Sequence, residues 1–410
     1  MTRPAPHLLL LDMMATRRAP TSADFAALND VDWQRLRDMA LQHRLTPLLH
    51  HRFVAAGRSW PVPAEIAAEW ERLYRRAATR SLVMQHALVT VQALLQREGI
   101  ASAALKGAWL AWQAYEVPAL RPMRDIDLLV ADEHAERAHA LLIAEGARPG
   151  PKSHVPIIHA REHHKHMPPI VFGEGRVCFE IHWRLARPEA GEDKAKQRAE
   201  SAALLARRVA TTVGGQPVMC LDPTDTLLHL IVHAAYDHRL DNGPMILSDL
   251  AATLAAAAID WPRFWAAAEA HGQAPGAHLL FALAAEYHAV EVQWPGGIAP
   301  APPPVGLIEA ARALLVKDMA ARTEVYFETA LADAPGIAAK SALLRDRAFP
   351  PRHIVAHYAG RPIDGRGLWF WYAVRLVDHA RRFLWKRFDR GRRDSVDEER
   401  ALGAWLDAAR

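Results

Sequence analysis

The sequence predicts an α/β (α+β) core flanked by N-terminal and C-terminal all-helical regions. Three observations predict it. Residues 100–105, 125–131 and 177–183 are short apolar runs with strand-like alternation, within a block of about 120 residues. Glycines stand directly after two helical patterns, at Gly99 and Gly146, where a C-terminal cap is expected. On both sides of the block the apolar residues recur at helical steps only.

The elements follow in order. Between 22 and 53, Phe25, Leu28, Trp33, Leu36, Met39, Ala40 and Leu45 mark helical faces. A Pro-containing break at 60–63 leads to a long helical pattern over 64–98, closed by Gly99. The 100–105 strand gives way to Lys106-Gly107 and a helix through Tyr115. The 125–131 strand is followed by a helix over 133–145. In the 177–183 strand, Val177, Phe179, Ile181 and Trp183 share one face, and Cys178, Glu180 and His182 share the other. Strands at 208–213 and 217–220 are joined by the Gly214-Gly215 turn. Asp222 and Thr224 suit the N-cap of a helix over 225–238. Further helices cover 243–258, 261–271 and 276–290, and a Pro-rich linker at 295–304 precedes a last helical region. The chain therefore divides into a helical region at 1–99, the α/β core at 100–221, a helical region packed on it at 222–294, and a C-terminal helical region at 305–410.

The bulk numbers narrow the class. The 410 residues are 51% apolar with a net charge of +4, ample for a core and too mildly basic to signal a polyanion partner. Two distant cysteines exclude a disulfide framework and point to a reducing, cytoplasmic setting. No run approaches the roughly 20 apolar residues that a membrane span requires.

The chemistry centres on Arg121-Pro-Met-Arg-Asp125-Ile-Asp127-Leu-Leu-Val130. Residues two apart on a strand point the same way, with Cα atoms about 6.5 Å apart. Asp125 and Asp127 thus project together while Ile126, Leu128 and Val130 enter the core. Paired carboxylates hold divalent ions, which prefer oxygen ligands. Glu180, acidic on the polar face of an otherwise buried strand, is the third carboxylate; an ion pair with Arg176 or Arg184 is the structural alternative. His182 shares its face and could meet substrate, phosphate or a metal-bound water.

On the phosphate side, Lys106-Gly107 lies between a strand and a helix. Gly107 permits close approach of the backbone, the helix start offers N–H groups to an anion, and Lys106 adds a point charge.

These segments resemble a known group. Leu105-Lys-Gly-Ala-Trp-Leu, Tyr115, the 120–130 stretch and Phe179-Glu-Ile-His-Trp-Arg are together similar to the bacterial uncharacterised nucleotidyltransferase family, placed in the DNA polymerase β-like superfamily. Asp222-Pro-Thr-Asp-Thr-Leu-Leu-His-Leu and Ser248-Asp-Leu resemble its helical part, and the likeness runs from about Trp33 to Gly272. It implies a nucleotidyltransferase core with a mixed sheet that transfers a nucleoside monophosphate from an NTP, ATP first, to a hydroxyl or phosphate acceptor. A small molecule or peptide is favoured over nucleic acid as acceptor. The implied cofactor is Mg²⁺, with Mn²⁺ as the alternative, held by Asp125, Asp127 and Glu180; Glu180 can also deprotonate the acceptor. Lys106 and Gly107 bind phosphate, and Arg121 or Arg124 neutralises charge developing in transfer. The superfamily usually carries Gly-Ser at the turn where this chain has Lys106-Gly107, so the competing expectation is a catalytically degenerate nucleotide-binding or scaffold protein that regulates a partner.

Other constellations carry weaker expectations. His159, His163, His164 and His166 form a loop suited to an anionic substrate, with His164 the substrate-side candidate beside His182; no zinc spacing is present. His229 and His233, four apart, read as helix packing. The aromatic and basic residues from Leu368 onward suggest peripheral membrane contact through a C-terminal helix.

Overall fold

The computed structural model describes residues 6–408 apart from 151–156, 158–159, 162–163, 187–192, 320–330, 332–333, 360–366 and 387–389. A mixed seven-stranded sheet lies in the order β3-β4-β5-β2-β1-β7-β6. Its strands are β1 (Ser102–Ala104), β2 (Asp125–Val130), β3 (Arg148–Pro149), β4 (Ile170–Phe172), β5 (Val177–His182), β6 (Val209–Val213) and β7 (Gln216–Cys220). β2 pairs in parallel with β5, and β1 in parallel with β7; β1–β2, β3–β4, β4–β5 and β6–β7 are antiparallel. The expected α/β core between helical regions is present.

Alternation sets the two faces of the central strands. Ile126, Leu128, Phe179 and Ile181 are fully buried in the main core, while Asp125, Asp127, Glu180 and His182 face the other way. Further along that second face, Leu129 joins Ala103, Leu105, Leu205 and Leu221 in a small separate cluster. The carboxylates therefore occupy the start of β2, where apolar cover has not yet begun.

The 34-residue helix Ala64–Arg97 braces the sheet. Trp70, Met84, Leu88, Val91 and Leu95 form its buried stripe. Gly99 ends it at φ +69°, allowing Ile100 N–H to reach back to Leu95 O at 2.8 Å. Buried Gln92 grips the β7 backbone, its amide donating to Met219 O and its oxygen accepting from Met219 N–H, both at 2.8 Å. One hydrophobic core runs from Leu10 through the sheet and the helices beyond to Leu402 and Leu406. No helix among the described residues is long and apolar enough to cross a membrane.

Several local expectations are revised. The 22–53 pattern resolves into helices Asp30–Gln42 and Thr46–Ala55, broken at Arg44, which adopts φ +56°. The helix after Lys106 is one α turn, Gly107–Trp109, widening into a π turn over Leu110–Ala114 in which Tyr115 N–H bonds to Leu110 O. Asp222 alone caps Pro223–Val232, while Thr224 instead accepts from Asp260 N–H. That helix also ends in a π turn, His233–Asp237. Strands β3 and β4, two and three residues long, carry no alternation that a sequence pattern could register.

Candidate active site

Register places the acids. In the β2–β5 ladder Asp125 is opposite Cys178 and Asp127 is directly opposite Glu180, so three carboxyl groups from two strands meet on one face. They lie in a cleft of about 350 Å³, within the range of small-molecule sites. The core supplies one wall. His233, His238 and Asn242 from the following helical region form another, and Gln42, His43 and Arg44 close the cleft from the N-terminal side.

Asp127 is gripped at both oxygens: Lys106 Nζ lies 3.2 Å from Oδ2, and His182 Nε2 lies 3.3 Å from Oδ1. Burial opposes its ionisation, but the Lys106 and His182 charges outweigh burial and hold the carboxyl well below the usual range. Glu180 is also held low: burial raises it, yet the His182 hydrogen bond and the His166 charge prevail. Asp125 goes the other way. Burial first, then the Asp127 and Glu180 carboxylates, push it up to about 7. His182 is buried, which favours its neutral form, but Asp127 and Glu180 raise it overall. The ligand atoms of Asp127, Glu180 and His182 all lie within 4.8 Å of one another, a grouping able to hold a metal ion.

The turn at Lys106-Gly107 is built tightly. Lys106 adopts φ +42°, which an L side chain rarely takes, and this conformation delivers its ammonium to Asp127. The space beside it is tight: a Cβ at Gly107 would lie 3.0 Å from Met123 Cγ and Sδ, so the methionine side chain would have to shift to admit one. The expected anion site at the helix start is curtailed, because the helix is one α turn and Ala108 N–H is already bonded to Leu105 O.

The arginines separate. Arg124 is exposed at the cleft. Arg121 is half-buried, and its Nε donates to both oxygens of buried Asp249 at 2.8 and 3.0 Å. Tyr115 OH donates to the same carboxylate at 2.8 Å. Asp249, on helix Met245–Ala256, thus ties the loop before β2 to the helical region. In the sequence Asp249 shows only as a carboxylate within a mostly apolar helical run.

The histidine loop divides likewise. His159 and His163 lie outside the described residues. His164 stacks toward His166, ring centroids 6.0 Å apart, while His166 Nε2 reaches Glu180 Oε2 at 3.5 Å. His166, not singled out from the sequence, thus touches a carboxylate of the cleft. Arg176, one candidate partner of Glu180, pairs with Glu174 instead. Lys165 was not anticipated: it is buried and forms a 2.5 Å ion pair with Asp237, which also meets His233 Nδ1 at 3.3 Å. His229 is buried as packing predicts, whereas His233 lines the cleft.

No curated protein and no solved structure matches the chain. A family described as uncharacterised nucleotidyltransferase matches residues 29–289, a stretch that contains the whole sheet and every carboxylate of the cleft. With well over half its length matched, the chain belongs to the uncharacterised nucleotidyltransferase family.

Proposed function

We propose that this nucleotidyltransferase moves a nucleoside monophosphate from an NTP, ATP first, to a hydroxyl or phosphate on a small molecule or peptide, and that its core shares the polymerase β-like plan. The observation that carries the reading is the direct pairing of Asp127 with Glu180 across parallel β2 and β5, with Asp125 one pleat earlier in the same cleft.

The residues fit a divalent ion. Three crowded carboxyls leave Asp125 pushed up to about 7, an excess of negative charge that a cation relieves. When bound by Asp125, Asp127 and Glu180, Mg²⁺ or Mn²⁺ would screen the phosphates and polarise the reacting oxygens. The protein's own groups do the rest. Lys106 adds fixed positive charge beside Asp127, and Arg124 offers a second cation to the phosphates. Glu180, held in its ionised form, completes the metal site or takes the proton of the acceptor hydroxyl. The acceptor oxygen bonds to the α-phosphorus as the bond to the β-phosphate oxygen breaks, and pyrophosphate leaves with the electron pair. Arg121, committed to Asp249, braces the loop that aims Asp125 and Asp127. Exposed Trp369 and Phe370 on helix Gly367–Lys386 support peripheral membrane contact as a secondary part of this reading.

Calorimetry with a panel of NTPs and Mg²⁺ or Mn²⁺ tests it. Metal-dependent binding in the wild type, lost in Asp125→Asn/Asp127→Asn, is expected; absence of NTP binding with either ion overturns the reading. One observation favours a second reading, a nucleotide-binding regulator without turnover: Lys106 already sits on Asp127 Oδ2. Tight NTP binding with no pyrophosphate release across an acceptor screen would select it.

A further inference from the structure

The cleft holds more nitrogen than a carboxylate trio requires. His182 Nε2 is 3.3 Å from Asp127 Oδ1 and 3.6 Å from Glu180 Oε2, with the side chain 1% exposed. Ligands on bonds of about 2.1 Å lie about 3.0 Å apart at octahedral edges and about 3.4 Å apart at tetrahedral ones. The spacings around His182 are close to those of neighbouring ligands on one ion. Among the described residues, the grouping able to hold a metal is Asp127, Glu180 and His182, without Asp125.

The placement is rigid. His182 is a strand residue, paired with Leu129 of β2 on one side and bridged to His166 on the other. His166 is itself oriented: its Nδ1 lies 2.8 Å from Met167 O, and a carbonyl only accepts, so that nitrogen carries the hydrogen. Its Nε2 is thereby turned to Glu180 Oε2 at 3.5 Å. The Met167 carbonyl thus orients the His166 ring, while Nδ1 of His182 itself is buried with no hydrogen-bond partner among the described residues.

We propose that His182 joins the carboxylates as a direct metal ligand, so that the ion sits in a mixed nitrogen–oxygen shell that includes Asp127, Glu180 and His182 and a first-row transition ion such as Mn²⁺ is selected over Mg²⁺. This deepens the transferase reading and rests on it. Mg²⁺ favours all-oxygen shells and keeps its waters, whereas imidazole strengthens binding of the transition ions. His166 acts through Glu180 as a positioning residue.

Mn²⁺ alone is the probe, on the full chain. Pulsed electron paramagnetic resonance of the Mn²⁺-loaded wild type should show hyperfine modulation from a directly bound nitrogen. That modulation should vanish in His182→Gln and persist in His166→Gln. The preference for Mn²⁺ over Mg²⁺, measured by competition, should fall at least about tenfold in His182→Gln. If His182→Gln does not fold, isotopic nitrogen labelling of histidine in the wild type assigns the modulation instead. Bound Mn²⁺ without nitrogen modulation overturns the proposal and leaves the carboxylate transferase standing. Failure to bind Mn²⁺ with or without ATP overturns both.

Discussion

Lys106 Nζ lies 3.2 Å from Asp127 Oδ2, placing an ammonium beside a carboxylate that the proposed reaction needs for a divalent ion. The backbone takes φ +42° to achieve this, so the contact is held by the turn as well as by charge.

Lys106→Met keeps the aliphatic stem and removes the charge. A cation competing for Asp127 is lost, so binding of Mn²⁺ alone should tighten by about tenfold, near 1.4 kcal/mol. NTP affinity should move the other way, because the phosphates lose a partner. Calorimetry with and without nucleotide separates the two effects; weakening of both would refute the competition.

Asp125 gives the metal-free protein an inverted acid dependence. Its folded value, about 7, lies above the unfolded value of about 3.9, so its contribution is fully present below about pH 4 and lost as pH rises toward 7. Ionising it in the fold therefore costs about 2–4 kcal/mol at pH 8. Asp125→Asn should raise the melting temperature of the metal-free chain at pH 8 and change it little at pH 4. Equal shifts at both pH values would sink this account.

Asp249 compensates a half-buried cation. Asp249→Asn leaves the Arg121 guanidinium without its counter-charge, at a cost of about 3–5 kcal/mol. Tyr115→Phe removes one hydrogen bond and should cost about 1 kcal/mol. Arg121→Met/Asp249→Leu should recover much of the stability but not nucleotidyl transfer, since the loop before β2 loses its directional brace. Urea unfolding beside turnover distinguishes these outcomes.

His288 supplies a conventional acid limit. It is buried between Thr16 and Ser248, its Nδ1 3.2 Å from Thr16 Oγ1 and its Nε2 3.4 Å from Ser248 Oγ. Burial lowers it to about 4, so it folds neutral. The unfolded chain, at about 6.5, binds the proton first; this stability is present above pH 6.5 and declines as pH falls toward 4, by about 2 kcal/mol at pH 5. His288→Gln should be weaker at pH 7 and show a flatter loss between pH 7 and 5 in denaturant titrations.

The site was legible where two periods coincide. Alternation alone set Asp125 with Asp127, and Glu180 with His182, and the ladder then brought both pairs together. What escaped was set by tertiary contact. His166 reaches the carboxylates because its backbone bridges to His182, and Lys165 finds Asp237 across 72 residues. Asp249 could be seen as an acid in an apolar run, but its partners Arg121 and Tyr115 lie more than a hundred residues earlier. The π turns left no mark in composition, because they answer to packing around them.

The parallel pairing of β2 with β5 also has a temporal side. The β6–β7 hairpin closes across a two-glycine turn as soon as it is made, whereas Asp127 meets Glu180 only after the chain has run out and back to pair in the same direction. During synthesis Asp125 and Asp127 therefore emerge long before Glu180, His182, His233 and Asp249. Until β5 is made, Asp125 and Asp127 lack the Glu180 carboxylate and the His182 imidazole that the ladder later sets beside them.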